Sequence, residues 1–480
     1  MKIFGQISFV FLLVFALYLL RLRGAFVPVG YPSGADWDQY MLNAHSLWFP
    51  ESESPYSEWR SPFYPYTLGL LGRDSSYVYA GGMLSSTGWV LMVVSGAWIG
   101  RIYFGFVLGG LTALIIALHP MVFESVHYVT PYPILAGMCA FSWALLASYS
   151  VTPRAWKALL CGVFVALALC VDSRGVVAIV PAVWSFFQIK SKRVFVTLAG
   201  VASIPVFWFN LQLYQVTRVA TMSLSEKVIQ QRAFFLSGDM LPRLHPSHPQ
   251  LPILTERCSA AEPSGWGWEE IDCAMAMANL NLQAWSLHDL IPGLVILPSL
   301  LIIRSRFGLI WGWFLMLVCF LLVWNPPRYV FLFMLPVCLT IPAVFYLVGG
   351  RLIAIFATLM YLTLHWPTAN SSTKGYSREF SPSLIPVAQY LHATIPSAET
   401  LADCSSTNLG VIHLPNWTAV DKLPFAYSCH QFVNQGSSEG VDWLLVEKGS
   451  LTPFARDWKL VETWYDQQTT LLLFFRIRRD

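Results

Sequence analysis

Four hundred and eighty residues would fill about three soluble domains at the usual length per domain, yet 55% are hydrophobic and only 12% charged. Mean hydropathy is +0.54, so a soluble globule would lack polar groups to coat its surface, and lipid must be the solvent for much of the chain. A net charge of +3 without a long basic run argues against a nucleic-acid partner, and fibrous, disordered and disulfide-scaffold classes fail on the same composition.

A hydrocarbon core of about 30 Å takes roughly 20 mostly apolar residues per helix. In chain order the apolar runs predict eleven spans, at 4–23, 79–100, 102–119, 129–149, 158–172, 174–189, 194–213, 286–303, 307–324, 329–348 and 352–368. The pair across 158–189 is short on both sides of Asp172-Ser173-Arg174, and a re-entrant hairpin there would keep the same parity. With the N-terminus in the cytoplasm, the cytoplasmic connections carry Lys2, Arg101, Arg154, Lys157, Lys190, Lys192, Arg193, Arg304, Arg306 and Arg351. None of the 27 acidic residues falls among them, as the positive-inside rule requires. Arg21 and Arg23 lie on the opposite side. The first span resembles a signal peptide in having Lys2 and an apolar run, but no small-x-small cleavage site follows.

Three segments then face outward: 24–78, 214–285 and the tail. Five of nine cysteines (Cys139, Cys161, Cys170, Cys319 and Cys338) lie in spans, where a thiol fills core space. The other four form local outward pairs, Cys258 with Cys273 and Cys404 with Cys429, which an oxidising compartment would join as disulfides; four free thiols are the alternative. After Trp366 the apolar fraction falls. An amphipathic helix is predicted at 383–394 and β runs at 399–404, 441–447, 458–464 and 469–477, the last two as a hairpin across Asp466-Gln467-Gln468. The predicted architecture is a polytopic α-helical membrane protein of about 11 transmembrane helices over 1–368, with a small α/β extracytoplasmic domain over 369–480.

Glycine phosphate loops, His-Glu-x-x-His and Cys-x-x-Cys sets are missing from the sequence. Gly436-Ser437-Ser438-Glu439-Gly440 spells a nucleophile elbow, but the strand it needs follows instead of preceding it, so it reads as a loop. The informative piece is the first outward loop. Asp36 sits at a predicted helix start, where exposed backbone N–H groups favour a carboxylate. Tyr40, Ala44, Leu47 and Trp48 follow at helical spacing, giving a short helix on the membrane surface. The bland alternative is an N-cap and a solvated Asp38. Trp59-Arg60-Ser61-Pro62-Phe63-Tyr64-Pro65-Tyr66 then forms a second aromatic, proline-stiffened piece that brings a cation near the two carboxylates. Carboxylate and cation just above a bilayer suit a substrate whose phosphate is anchored in lipid.

These residues resemble the GT-C superfamily of membrane glycosyltransferases, nearest its protein O-mannosyltransferase and aminoarabinose-transferase-like branch. Asp36, Tyr40 and Ala44 match the first-loop pattern of that branch, and Arg60 with Pro62-Phe63-Tyr64-Pro65 matches the basic residue and aromatic run that follow. His119-Pro120, Arg174-Gly175 and Arg328-Tyr329 through Pro336 match later landmarks in order. Two departures stand out. Trp37 replaces the second acid of an Asp-Glu pair, with Asp38 one residue on, and Thr130-Pro131 stands where many members have a Glu. They leave metal use and substrate class open.

The resemblance implies transfer of a sugar from a polyprenyl-phosphate donor to an acceptor protein, lipid or glycan at the outer face, with inversion. A poorly nucleophilic hydroxyl needs a base, and Asp36 is assigned that role. Asp38 has three roles open to it: orienting the acceptor, binding a divalent cation with Asp36, or facing water. Arg60 and Arg328 are candidates for the lipid phosphate, whose oxygens an arginine fork can hold in pairs. Arg174 is either a third cation or, preferably, the ion-pair partner of Asp172. Arg328 read without function is a cation snorkelling at a helix end. Tyr40, Tyr64, Tyr329, Glu124 and His127 are candidates to line the substrate cavity; for Glu124 and His127 a satisfied interface pair is the alternative. The expected location is a bacterial inner membrane. Two rivals come from other classes, a lipid-linked sugar flippase and a GT-C-like subunit that lost activity. A transporter tends to show duplicated halves with midplane charges, which this chain does not.

Overall fold

The structure is a computed structural model, and it describes residues 2–23, 25–26, 31–32, 35–48, 61–72, 77–119, 122, 125–126, 129–172, 174–175, 191–217, 334–371, 380–381, 387, 390–391, 393–395, 401–404, 443–447, 458–465 and 470–476. Nine helices are formed among these residues: α1 (Lys2–Leu22), α2 (Ala35–Trp48), α3 (Phe63–Gly72), α4 (Tyr77–Phe104), α5 (Phe106–Leu118), α6 (Tyr132–Val151), α7 (Ala155–Val171), α8 (Lys192–Thr217) and α9 (Met334–Ser371). Four carry stretches long and apolar enough to cross a bilayer, Ile3–Leu22, Tyr79–Phe104, Tyr132–Val151 and Lys192–Val216. Large apolar side chains such as Phe4, Val201 and Trp208 stay exposed on α1 and α8, as lipid-facing surfaces do. This is a polytopic membrane protein. The predicted spans 286–303 and 307–324, and 174–189 beyond Gly175, lie outside the described residues.

Two local expectations need correction. The break expected at Arg101 falls instead at Gly105, whose φ of 95° suits only a residue without a Cβ. Arg101 stays helical because its guanidinium lies over the rings of Phe106 at 4.6 Å and Phe9 at 5.6 Å. The break between the last two spans falls where the sequence puts it, at Gly350 within α9, whose φ of 73° interrupts the helix. The proline-stiffened piece is helical from Phe63. Pro62 precedes that helix and Pro65 falls in its first turn, where a missing N–H costs nothing.

The core forms where α4 packs between α5 and α6, with α1 and α9 against α5 and α7 between α6 and α8. Trp89 and Trp143 are its largest fully buried side chains. The Trp89 indole donates to Ser125 Oγ at 2.9 Å, so its one polar atom is satisfied. The backbones of α4 and α6 touch. A Cβ on Gly88 would collide with the Pro133 carbonyl, and one on Gly137 with the Gly88 carbonyl. At the α6–α7 corner Lys157 is buried. Its Nζ donates to the carbonyls of Ser148 at 3.0 Å and Thr152 at 2.9 Å, and to Thr152 Oγ1. The cation therefore closes the negative end of α6. Lys157→Met is expected to cost about 1–3 kcal/mol, the penalty of stranding those acceptors, read as a lower midpoint of thermal unfolding in detergent.

In the tail, β3 (Leu401–Cys404), β4 (Trp443–Glu447), β5 (Trp458–Tyr465) and β6 (Thr470–Arg476) form one sheet in the order β3-β4-β6-β5. β3 runs parallel to β4, and the β6 pairings with β4 and β5 are antiparallel. Val387, Leu391 and Ile395, spaced four apart as on one helix face, share a core with Trp443, Leu445 and Leu473. Each strand lies within two residues of its predicted range.

Candidate functional site

The ends of α1, α5, α7 and α8 meet the starts of α4 and α6 at one end of the bundle, and α2 and α3 lie there. Helix α2 includes both acids, with Asp36 in its first turn. Tyr40 and Ala44, at steps of four from Asp36, are 2% and 0% exposed. The register thus places position 36 on the face that carries this buried pair. Position 38 falls roughly 200° further round the helix, so the two acids do not share a face. The side chains of Asp36 and Asp38 lie outside the described residues.

Helix α3 supports that face. The Tyr40 and Tyr64 rings meet edge to face at 5.3 Å, and Tyr64 is 1% exposed. Its hydroxyl has no hydrogen-bond partner among the described residues, which is rare for a buried polar group. Burial raises the Tyr64 pKa well above the ordinary phenol value, and Tyr40 adds in the same direction, so the group stays a protonated donor. Trp48 stacks on Tyr66 at 5.1 Å and donates its indole N–H to the Tyr66 carbonyl at 3.1 Å. Tyr66 in turn meets Phe209 of α8 at 5.3 Å. Aromatic packing therefore ties the first loop to the bundle.

Polar bonds fix the rest. Ser61 Oγ donates to the Cys170 carbonyl in the last turn of α7, and the Tyr214 side chain of α8 hydrogen-bonds Ser61. Two residues beyond Cys170, Asp172 ends α7. Its carboxylate accepts from the Arg174 backbone N–H at 2.8 Å and from the Arg174 guanidinium at 3.1 Å. That guanidinium also lies 5.6 Å over the Tyr132 ring at the start of α6. Asp172→Asn is expected to weaken this hold and to cost about 0.5–1 kcal/mol for a partly exposed pair, read as a lower midpoint of thermal unfolding in detergent.

Opposite this corner, Arg21 donates to the Ala25 carbonyl at 2.9 Å and Arg23 to the His119 carbonyl at 3.2 Å. His119 is the C-cap of α5, a negative helix end that favours a cation. These contacts give the two wrong-side arginines local partners. The Phe26 N–H donates to Ser86 Oγ at 3.0 Å, and Ser86 Oγ donates to the Val126 carbonyl at 3.3 Å. Next along the chain, β1 (Tyr31–Pro32) pairs antiparallel with β2 (Phe380–Ser381). The tail is thereby joined to the first loop three residues before α2.

Of the residues singled out from sequence, the structure brings together Tyr40 and Tyr64, and places Arg174 beside Asp172 and Tyr132. Arg60, Glu124, His127, Arg328 and Tyr329 lie outside the described residues. So do Cys258, Cys273 and Cys429, while Cys404 ends β3. Ser61, Tyr132 and Tyr214 were missed. Nothing local marks them, because each acts through a partner distant in sequence. Thr130 stands out in the sequence only as a departure from the family pattern; its hydroxyl is buried without a hydrogen-bond partner among the described residues. Among the described residues no three His, Cys, Asp or Glu side chains gather as a metal site would need.

No protein-family model matches the chain, and no curated protein does. Solved structures do. ArnT from Cupriavidus metallidurans, bound to undecaprenyl phosphate, matches with a TM-score of 0.54 at 12% identity over 97% of both chains. The Archaeoglobus fulgidus oligosaccharyltransferase, in complex with Zn and sulfate, matches with a TM-score of 0.54 at 13% identity, over 91% of this chain and 68% of its own. The archaeal enzyme AglB of the same organism, with an inhibitory peptide and a dolichol-phosphate, gives 0.53 at 12% over 92% and 69%. The chain shares its fold with these solved structures.

Proposed function

We propose that this chain is an integral-membrane glycosyltransferase that moves a sugar from a polyprenyl-phosphate donor to an acceptor hydroxyl at the outer face. The observation that carries the reading is the register of α2. It sets position 36 on one face with Tyr40 and Ala44, at the end of the bundle where α3, the Ser61–Cys170 bond and Arg174 converge. The fold shared with ArnT over nearly the whole chain supports it.

In this mechanism the acceptor oxygen attacks the anomeric carbon opposite the phosphate, and the configuration inverts. Its proton passes to the Asp36 carboxylate as the C–O bond forms. The bond from the anomeric carbon to the phosphate oxygen breaks, and the lipid phosphate leaves with one more negative charge. Arg60 and Arg328 stabilise that charge, with Arg174 released from Asp172 as a third cation. Tyr64 offers its hydroxyl, unpartnered among the described residues, as a donor to a sugar or phosphate oxygen, and Tyr40 holds it in place. Glu124, His127 and Tyr329 complete the cavity. Positions 36 and 38 fall on different faces of one helix, and these steps are carried by the chain's own side chains.

The eleven-span topology, with the N-terminus in the cytoplasm of a bacterium, puts α2 and the tail outside the inner membrane. The tail is a small α/β domain over 369–480 that shapes the acceptor side, and the β1–β2 pairing supports that placement. The outward cysteines close as Cys258–Cys273 and Cys404–Cys429. Mass spectrometry of a deletion strain tests the reaction class. Loss of one sugar from an envelope glycan, lipid or protein, with accumulation of its polyprenyl-phosphate form, is the expected result. Unchanged glycans and unchanged lipid-linked intermediates would refute it.

A further inference from the structure

The opposite end of the bundle holds a second feature that sugar transfer does not use. Helix α4 ends at Phe104 and α5 begins at Phe106, with Gly105 between them. Arg101, in the last turn of α4, is exposed and lies over Phe106 and Phe9. Its five N–H donors have no hydrogen bond and no ion pair among the described residues. Arg351, the residue after the bend of α9, reaches the same turn from 247 positions away in sequence, and its Nη2 meets the Phe104 carbonyl at 3.5 Å. A Cβ on Gly105 would collide with that guanidinium, so the glycine keeps the place open for it. Arg351 is exposed and has no counter-ion among the described residues. The first turn of α5 opens at this point without a side-chain cap.

We propose that Arg101 and Arg351 form a binding site for the phosphate headgroup of an anionic phospholipid in the leaflet opposite the transfer site. Charge complementarity gives the headgroup, because two cations at one turn, without counter-ions among the described residues, favour an anion. The flanking surface gives the acyl chains. Leu352, Val348 and Phe356 of α9, together with Ile3 and Phe4 of α1, are all more than two-thirds exposed. A soluble phosphate would leave that apolar surface unused, whereas a lipid covers both parts. The stacked rings hold Arg101 in a bound-like position, which lowers the ordering cost of binding. The site does not depend on the reading of the outward end.

Native mass spectrometry of the purified full chain tests it with three probes: phosphatidylglycerol, phosphatidylcholine and inorganic phosphate. The wild type is expected to retain phosphatidylglycerol over phosphatidylcholine by about twenty-five-fold, as two arginines at roughly fivefold each would give. Arg101→Gln with Arg351→Gln should bring the two lipids to parity. The double lysine variant, R101K/R351K, should keep most of the preference, and Arg154→Gln, which removes an exposed cation elsewhere on that end, should keep all of it. If the double glutamine variant does not fold, Arg351→Gln alone should still cost about fivefold. Undiminished preference in the glutamine variants, equal retention of both lipids by the wild type, or displacement of phosphatidylglycerol by millimolar inorganic phosphate would each overturn the proposal.

Discussion

Asp36→Asn is expected to lower sugar transfer by about 10²- to 10⁴-fold, the contribution of a positioned general base, and to leave binding of the polyprenyl-phosphate donor intact. The amide keeps the shape of the carboxyl and its place in the first turn of α2 but cannot take the acceptor's proton. Its structural cost is small, because losing a negative charge near a helix start forfeits roughly 0.3–1 kcal/mol. The catalytic loss corresponds to about 3–5 kcal/mol of barrier, several times larger, so the two effects separate. Asp38→Asn should cost far less, since residues two apart on a helix do not share a face. Turnover of purified protein with donor and acceptor, alongside a donor-binding titration, checks both substitutions. Equal losses for the two would mean that the register of α2 does not select the base.

Gly137→Leu is expected to prevent folding of the bundle. Ordinary overpacking costs about 1–3 kcal/mol because neighbours can shift, but here the Cβ would meet the Gly88 backbone, which has no rotamer to yield. Close helix contact through small residues is a main source of association energy in lipid, and the α4–α6 contact lies in the middle of the core. The control is Gly200→Leu, on α8, where a Cβ would meet nothing within 4 Å. Size-exclusion chromatography after detergent extraction should show aggregate for the first and a single peak for the second.

What the sequence discloses is what each segment encodes by itself. A run of apolar residues long enough for a bilayer specifies a helix wherever it packs, so α1, α4, α6 and α8 are visible in advance, and the short β runs of the tail mark β3 to β6 in the same way. Helix ends are less visible. Arg101 looks like a loop residue because charge usually ends a span, yet two phenylalanine rings let it remain helical while Gly105 makes the break. Asp36, Tyr40 and Ala44 stand out because their spacing is that of one helix face. The contacts that hold this face are hidden for the opposite reason. Ser61 and Cys170 are 109 positions apart, and a two-residue strand such as β1 has no pattern to read before it meets β2.

The most direct test is turnover by the purified protein in liposomes that carry a polyprenyl-phosphate sugar in the bilayer and an acceptor hydroxyl in solution. The account predicts one molecule of polyprenyl phosphate released for each sugar joined to the acceptor with inverted configuration, and both products lost when residue 36 is asparagine. Full turnover with asparagine at that position would contradict it, as would passage of the intact donor between leaflets with no glycosidic bond broken.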